Sequence, residues 1–219
     1  MRNVRRLLLG VTVFALMVGG AAAWADPSLV GPTGLVTVPT ADTLGILQWN
    51  VGGANVWADG GPDESVVYAN IGLLPRLEVG FSRIEPEDGD AETLLNAKLR
   101  ILGLPGKVTL AVGAVDLTDQ IDQSGYVVLT HDLGAGIISP KGQFTKPQVH
   151  VGVGGGQFDG IFGGVSLTVS GKADVMAEYD GEDVNVGVRW PIIPKVSLTA
   201  AALDGFDDLA LGLSLKSPW

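Results

Sequence analysis

Residues 173–190, ADVMAEYDGEDVNVGVRW, alternate apolar and polar side chains on both sides of an Asp180-Gly181 dipeptide. Such a period of two places successive side chains on opposite faces of a strand. Ala173, Val175, Ala177 and Tyr179 share one face, and Asp174, Met176 and Glu178 take the other. Beyond the dipeptide, Val184, Val186, Val188 and Trp190 oppose Asn185, Gly187 and Arg189. Asp-Gly accepts positive φ and predicts a two-residue hairpin turn. That turn pairs Tyr179 with Glu182, Ala177 with Val184 and Val175 with Val186, leaving Asp174 diagonal to Arg189. A ribbon of this kind has two homes. In a soluble sheet the apolar face is core, and in a transmembrane barrel it meets lipid while the polar face lines the lumen.

The start of the chain favours export. Arg2, Arg5 and Arg6 precede an apolar run from Leu7 to Met17, and small residues follow up to Ala23-Trp24-Ala25. This is the pattern of a secretory signal spanning residues 1–25, with cleavage before Asp26. The run is too short for a spanning helix, which needs about 20 apolar residues. Loss of the three arginines takes the formal net charge from -10 to -13. So acidic a chain is a poor partner for nucleic acid or for anionic lipid surfaces. With no cysteine, disulfide frameworks and thiol chemistry are excluded despite an oxidising destination.

Residues 26–45 read as an extended lead-in broken by Pro27, Pro32 and Pro39, with Leu35 to Val38 as a short strand. Residues 46–219 hold twelve strand-like runs: 46–57, 65–73, 77–84, 93–101, 107–117, 125–133, 147–156, 161–169, 173–180, 183–190, 195–203 and 208–216. Most are near the nine or so residues that a tilted strand needs to cross hydrocarbon. The last sets Leu209, Leu211, Leu213 and Leu215 against Ala210, Gly212, Ser214 and Lys216. Runs 125–133 and 161–169 are ambiguous in facing, and Asn55 interrupts an otherwise apolar face.

The connections alternate in charge. Acidic ones (59–64, 85–92, 116–122, 157–160, 180–183, 204–208) take turns with basic or neutral ones at Arg76, Lys107, Lys141 with Lys146, Lys172 and Lys195. An up-and-down antiparallel order sends alternate connections to opposite ends, so the molecule has an acidic end and a basic end. The basic connections are mostly short, as periplasmic turns are, and Gly134 to Lys146 is the exception. Trp49 and Trp57 lie on one face about 26 Å apart along a strand. With Tyr179 and Trp190 they read as interface aromatics at the two rims of a lipid-facing band. The fold class is therefore all-β, an antiparallel up-and-down transmembrane barrel of about twelve strands.

The inward polar set comprises Glu78, Asn96, Lys98, Arg100, His150, Asp174, Glu178, Asn185, Arg189 and Lys216. Opposite charges in this set either pair and fill the lumen or line a narrow water path, and filling is the default at this strand number. No catalytic, metal or cofactor site is expected. His131 and Asp132 could join Ser124 or Ser139 in a triad, but neighbours on a regular strand face opposite ways. Two histidines are too few for a three-histidine metal site. The acidic end could hold divalent cations, but its spacing matches no such loop and a solvated rim accounts for it. The glycines at 152 and 154–156 have no helix after them to bind phosphate, and on an inner face they ease closure of a small barrel.

Five segments, GPTGLVTVPTADTL (31–44), LLNAKLRILGLPGKVTLAVGAVDL (94–117), GYVVLTHDL (125–133), VHVGVGGGQFDGIFGGV (149–165) and AEYDGEDVNVGVRW (177–190), together resemble the YjbH-like outer-membrane β-barrel family. That family is named for a protein encoded with exopolysaccharide-production genes. The resemblance implies residence in a bacterial outer membrane and a non-enzymatic role in envelope structure or polysaccharide export. Its implied partners are outer-membrane lipid, the barrel-assembly machinery and polysaccharide-export components, and it carries over no catalytic residue. A narrow passive diffusion channel and a soluble secreted carbohydrate-binding β-protein are the alternatives.

Overall fold

The computed structural model describes residues 25–104, 108–134, 144–158, 160–170 and 172–217. The signal segment, apart from Ala25, Ser139 of the weighed triad, and the basic-side Lys107 and Lys141 lie outside these residues. The strands are β1 (Trp49–Trp57), β2 (Glu64–Leu74), β3 (Leu77–Pro86), β4 (Glu92–Leu104), β5 (Val108–Val115), β6 (Ser124–Asp132), β7 (Phe144–Gly154), β8 (Gly160–Val169), β9 (Ala173–Tyr179), β10 (Val184–Ile193), β11 (Val196–Leu203) and β12 (Asp208–Lys216). Each pairs antiparallel with its neighbours in sequence, and β12 returns to pair with β1. Closure leaves no row of unpaired backbone groups, which hydrocarbon would penalise heavily.

Alternation decides which face looks out. On β12, Leu209, Leu211, Leu213 and Leu215 are exposed while Ala210, Gly212 and Ser214 are buried. The same split resolves the ambiguous strands. On β6, Tyr126, Val128 and Thr130 point inward and Val127 and Leu129 outward, and on β8 Phe162 points inward between Ile161 and Gly163. The wall thus shows valine and leucine to the outside and polar groups to the inside, the arrangement of a transmembrane barrel. The soluble alternative requires the reverse and is overturned.

The inner-face glycines make room for rings. A Cβ on Gly152 would collide with the Phe162 ring, and one on Gly113 with Tyr126. Tyr126 meets Phe158 and Phe162 edge-on, with centroids 5.4 Å and 6.2 Å apart.

The central hairpin differs from its expected register. Tyr179 pairs with Val184, Ala177 with Val186 and Val175 with Val188, and Asp174 lies directly opposite Arg189. The turn has four residues because the Asp180 carboxylate accepts hydrogen bonds from Glu182 N (3.0 Å) and Asp183 N (2.9 Å). An aspartate that caps its own turn in this way outcompetes the tighter Asp-Gly turn. The slip is two residues, so every side chain keeps its face.

The largest departure concerns residues 26–45, read as a lead-in. Residues 25–44 are almost wholly buried, inside the closed wall. Leu35 to Val38 is no strand: Leu35 N donates to Val38 O (2.9 Å) in a tight turn bridged by Gly34 and Pro39. Leu29, Leu35, Val36, Val38 and Ala41 form one apolar cluster with Ala54, Leu94, Ala111, Val128, Met176, Ala201 and Ala210 of the wall. The barrel has a core, and this segment supplies its centre.

Two outcomes follow from this wall. Replacing the lipid-facing Leu211 with arginine is expected to cost roughly 2–4 kcal/mol near the bilayer midplane, read from urea unfolding in phospholipid vesicles. The second concerns Asp116, just after β5. Burial pushes its carboxyl up, but backbone N–H donors from Gln120, Ile121 and Asp122 and the Thr118 hydroxyl outweigh this and hold it below the ordinary range. Its contribution is therefore complete above about pH 3.9, the unfolded aspartate value, and disappears as pH falls through the lower folded value. The stability gap between wild type and Asp116→Asn should be constant from pH 5 to 8 and shrink below about pH 4.

Candidate functional site

The site is the lumen where the wall grips residues 25–44, which act as a plug. Glu78 stands on β3 with its carboxylate inward, 2% exposed. It accepts hydrogen bonds from Thr33 N (2.9 Å), Thr33 Oγ1 (2.5 Å) and Leu44 N (3.0 Å). Lys98 is its partner across the β3–β4 ladder, so the two charges are neighbours by register. The Lys98 ammonium lies 3.8 Å from Glu78 Oε1 and donates to Thr33 O (2.6 Å) and Thr40 O (3.3 Å). On the far wall, Glu178 of β9 accepts from Val36 N (2.8 Å), Thr37 N (2.7 Å), Thr37 Oγ1 (2.6 Å) and Val38 N (3.4 Å). Arg189 of β10 donates to Pro27 O (2.7 Å), Leu35 O (2.8 Å) and Gly34 O (3.4 Å).

Charged side chains thus bond mainly the plug's backbone. A segment interrupted by proline cannot satisfy its own amides and carbonyls through a ladder. Inside a barrel no water reaches most of them, and fixed carboxylates and cations take water's place. Each charge-assisted bond is worth about 1.5–3 kcal/mol, and removing one side leaves its partner buried and unsatisfied.

The remaining inward residues extend this grip. Lys216 pairs with Asp26 at 2.6 Å. Asn185 Nδ2 donates to Asp180 Oδ2 (2.8 Å) and reaches Glu178 Oε1 and Thr37 Oγ1, both at 3.3 Å. Asn96 donates to Ser82 Oγ (3.0 Å). His150 lies between Thr130 Oγ1 (2.9 Å from Nδ1) and Ser166 Oγ (3.3 Å from Nε2), and Thr130 accepts from Ala41 N of the plug. Asp174, although opposite Arg189, accepts from Thr168 Oγ1 (2.6 Å), since Arg189 is committed to the plug. Arg100 is half-buried on the inner face of β4, near Asp42 of the plug. The lumen is filled, but more by the plug bound to these charges than by pairs among the charges themselves, such as Glu78 with Lys98.

Several contacts had no signal in the alternation. Asn70 donates to Gly31 O (2.7 Å), and Ser82 Oγ to Val30 O (2.6 Å). Small polar residues on an inner face look like ordinary lumen lining. Only the plug's own composition, with Thr33, Thr37 and Asp42 among apolar residues, could have marked a segment built to be buried and gripped.

Two cavities flank the plug. At the basic end, one of about 250 Å³ is bordered by Asp42, Lys146, Lys172, Asp174 and Arg189, and at the acidic end one of about 290 Å³ is bordered by Thr37, Asp180, Asp183, Asn185 and Asp204. At the acidic rim, a hydrogen bond with Asp183 and then its negative charge push the Asp204 carboxyl up.

His131 points outward while Asp132 points inward, and Ser124 sits seven residues up the strand, about 23 Å away. The triad is not assembled. Of the four aromatics, Trp57, Tyr179 and Trp190 are exposed on the outer wall, the first two toward the acidic end and Trp190 toward the basic one. Trp49 is half-buried at the edge of an outer apolar depression.

No family model matches the sequence, and a search of curated proteins finds no match. Solved structures do resemble the fold. A KdgM porin superposes with TM-score 0.55 at 6% identity, covering 78% of this chain and 99% of that chain. The KdgM porin in complex with disordered oligogalacturonate gives 0.54 at 6% identity over the same shares. The outer membrane protein Omp33 of Acinetobacter baumannii gives 0.46 at 11% identity, covering 79% of this chain and 98% of that one. At these identities the likeness to KdgM is one of fold.

Glu178→Ala strips the acceptor from the amides of Val36, Thr37 and Val38. Their hydrogen exchange in detergent micelles should accelerate at least ~10-fold, as loss of about 1.4 kcal/mol or more requires, while amides of β1 and β12 stay protected.

Proposed function

We propose that this chain is a non-enzymatic barrel of a bacterial outer membrane, closed at rest by its own N-terminal segment, that assists export of a surface polysaccharide. On this reading it belongs with the YjbH-like proteins its sequence resembles. It is delivered by a cleaved signal and the barrel-assembly machinery, and polysaccharide-export components are its partners. The observation that carries the proposal is the manner of the plug's attachment. Its backbone is held by ionic side chains on opposite walls, Glu78 with Lys98 and Glu178 with Arg189. Such bonds can be exchanged for bonds to water or to sugar hydroxyls, whereas a filler of interlocked leucines would have no comparable substitute. The short, basic end faces the periplasm and the acidic rim faces outward. The oligogalacturonate of the KdgM complex belongs to that protein, and the glycan handled here is set by experiment.

The chain lacks cysteine, so a lock can be installed cleanly. A Cβ on Gly187 would lie 2.8 Å from Val36 Cγ2, within reach of disulfide geometry. In a producing strain deprived of the protein, Val36→Cys/Gly187→Cys should restore surface polysaccharide under reducing conditions and fail when oxidised. Undiminished export by the oxidised form would reject a moving plug. In planar bilayers the mature protein should be silent and a variant lacking residues 26–44 should conduct. Steady conductance by the mature protein would instead favour the passive diffusion channel, a reading that the polar cavities on both sides of the plug also suit.

A further inference from the structure

The outer wall is not uniform. Across β1 to β4 it dips into an apolar depression of about 570 Å³. Its floor is formed by the small residues Ala69, Val79 and Ala97, and its sides by Trp49, Ile71 and Phe81 with their neighbours. The register explains the hollow: Ala69 sits between Val51 and Phe81, and in the next row Ile71, Val79 and Ala97 diminish toward β4, so the wall runs low from Ala69 to Ala97.

Arg83 lies two residues beyond Phe81 on the same outward face of β3, toward the acidic end. It is the one lysine or arginine at that end among the described residues. Its side chain is 45% exposed. Its Nε donates to Glu85 Oε1 (2.7 Å), and Nη1 lies 3.5 Å from Thr93 Oγ1. A guanidinium has five N–H donors, so these two contacts leave most of the fork uncommitted. Arg83 pairs with Val67, and one row further toward the acidic end, opposite Glu85, the outward face turns polar, where Ser65 donates to Asn55 (2.7 Å). The interruption of the apolar face at Asn55 thus marks the boundary of the lipid band, and Arg83 stands beside that boundary above the hollow.

We propose that this surface is a binding site for an anionic, phosphate-bearing membrane lipid, with one acyl chain in the hollow and its phosphate on Arg83. The charge pattern commits the site to this class. A zwitterionic lipid offers the hollow the same chain but no net charge, and the surrounding acidic rim disfavours an anionic headgroup everywhere except beside Arg83. The site is independent of the plug and of any transported glycan.

Trp49 borders the hollow and serves as the reporter. Mature protein carrying Trp57→Phe, Trp190→Phe and Trp219→Phe retains Trp49 alone and is reconstituted in phosphatidylcholine vesicles. One tenth of the lipid is phosphatidylglycerol, and either that lipid or an equal fraction of the phosphatidylcholine is brominated on its chains. Brominated phosphatidylglycerol should quench Trp49 at least ~3-fold more than brominated phosphatidylcholine. Arg83→Gln should abolish the difference, and Ala97→Leu, which fills the floor, should reduce it while heat-modifiable gel migration reports an intact barrel. Equal quenching by the two lipids, or a preference that survives Arg83→Gln, overturns the site. A preference unaffected by Ala97→Leu reduces it to headgroup attraction and overturns the hollow.

Discussion

Backbone amides and carbonyls inside a membrane barrel must find partners without water, and here they find ionised side chains. That constraint organises the interior. The plug is rich in proline and glycine, and its own backbone bonds, such as Ser28 N to Pro32 O and Leu29 N to Val36 O, close turns and isolated bridges without forming a continuous ladder. It is tolerable in the lumen because Glu178 gathers successive N–H groups from Val36 to Val38 and Arg189 gathers carbonyls from Pro27 and Leu35. The arrangement is reciprocal. Carboxylates and a lysine 2% exposed would be costly in an empty or apolar lumen, and the plug's dipoles make their burial acceptable. Wall charges and plug backbone therefore explain each other.

How much of this the sequence disclosed depends on the physics of each element. The strands were legible because a barrel wall that is wetted on neither face by bulk water still alternates strictly, and β12 with its four leucines shows the rule plainly. The two ends followed from the charge of successive connections. The exact hairpin register was not legible, because Asp180 offers both an Asp-Gly turn and a carboxylate cap and tertiary context chose the second. The plug was hidden for a different reason. Periodicity reports repeating elements, and a segment that packs by irregular turns leaves no period, so its prolines read as an extended lead-in. The inward residues Glu78, Lys98, Glu178 and Arg189 could be placed on the lumen face, but what they grip in the plug lies 34 to 162 residues away in sequence. No local pattern encodes that.

The wall meets two environments with one alternating strand. Inside, small residues such as Gly113 and Gly152 give space to Tyr126 and Phe162, and the rings, the plug and the polar network fill the cylinder. Outside, the same economy of size at Ala69 and Ala97 leaves a hollow in the wall. The inner and outer surfaces are therefore shaped by the same variable, side-chain volume along a row of the sheet, with protein completing the packing on one side and lipid on the other.

The ion pair between Asp26 and Lys216 links residues 190 positions apart. Lys216 also faces Asn50 across the seam where β12 meets β1. One strand therefore carries both the ladder that closes the wall and an anchor at the start of the plug. The seam of the cylinder and the hold on its contents meet at a single residue.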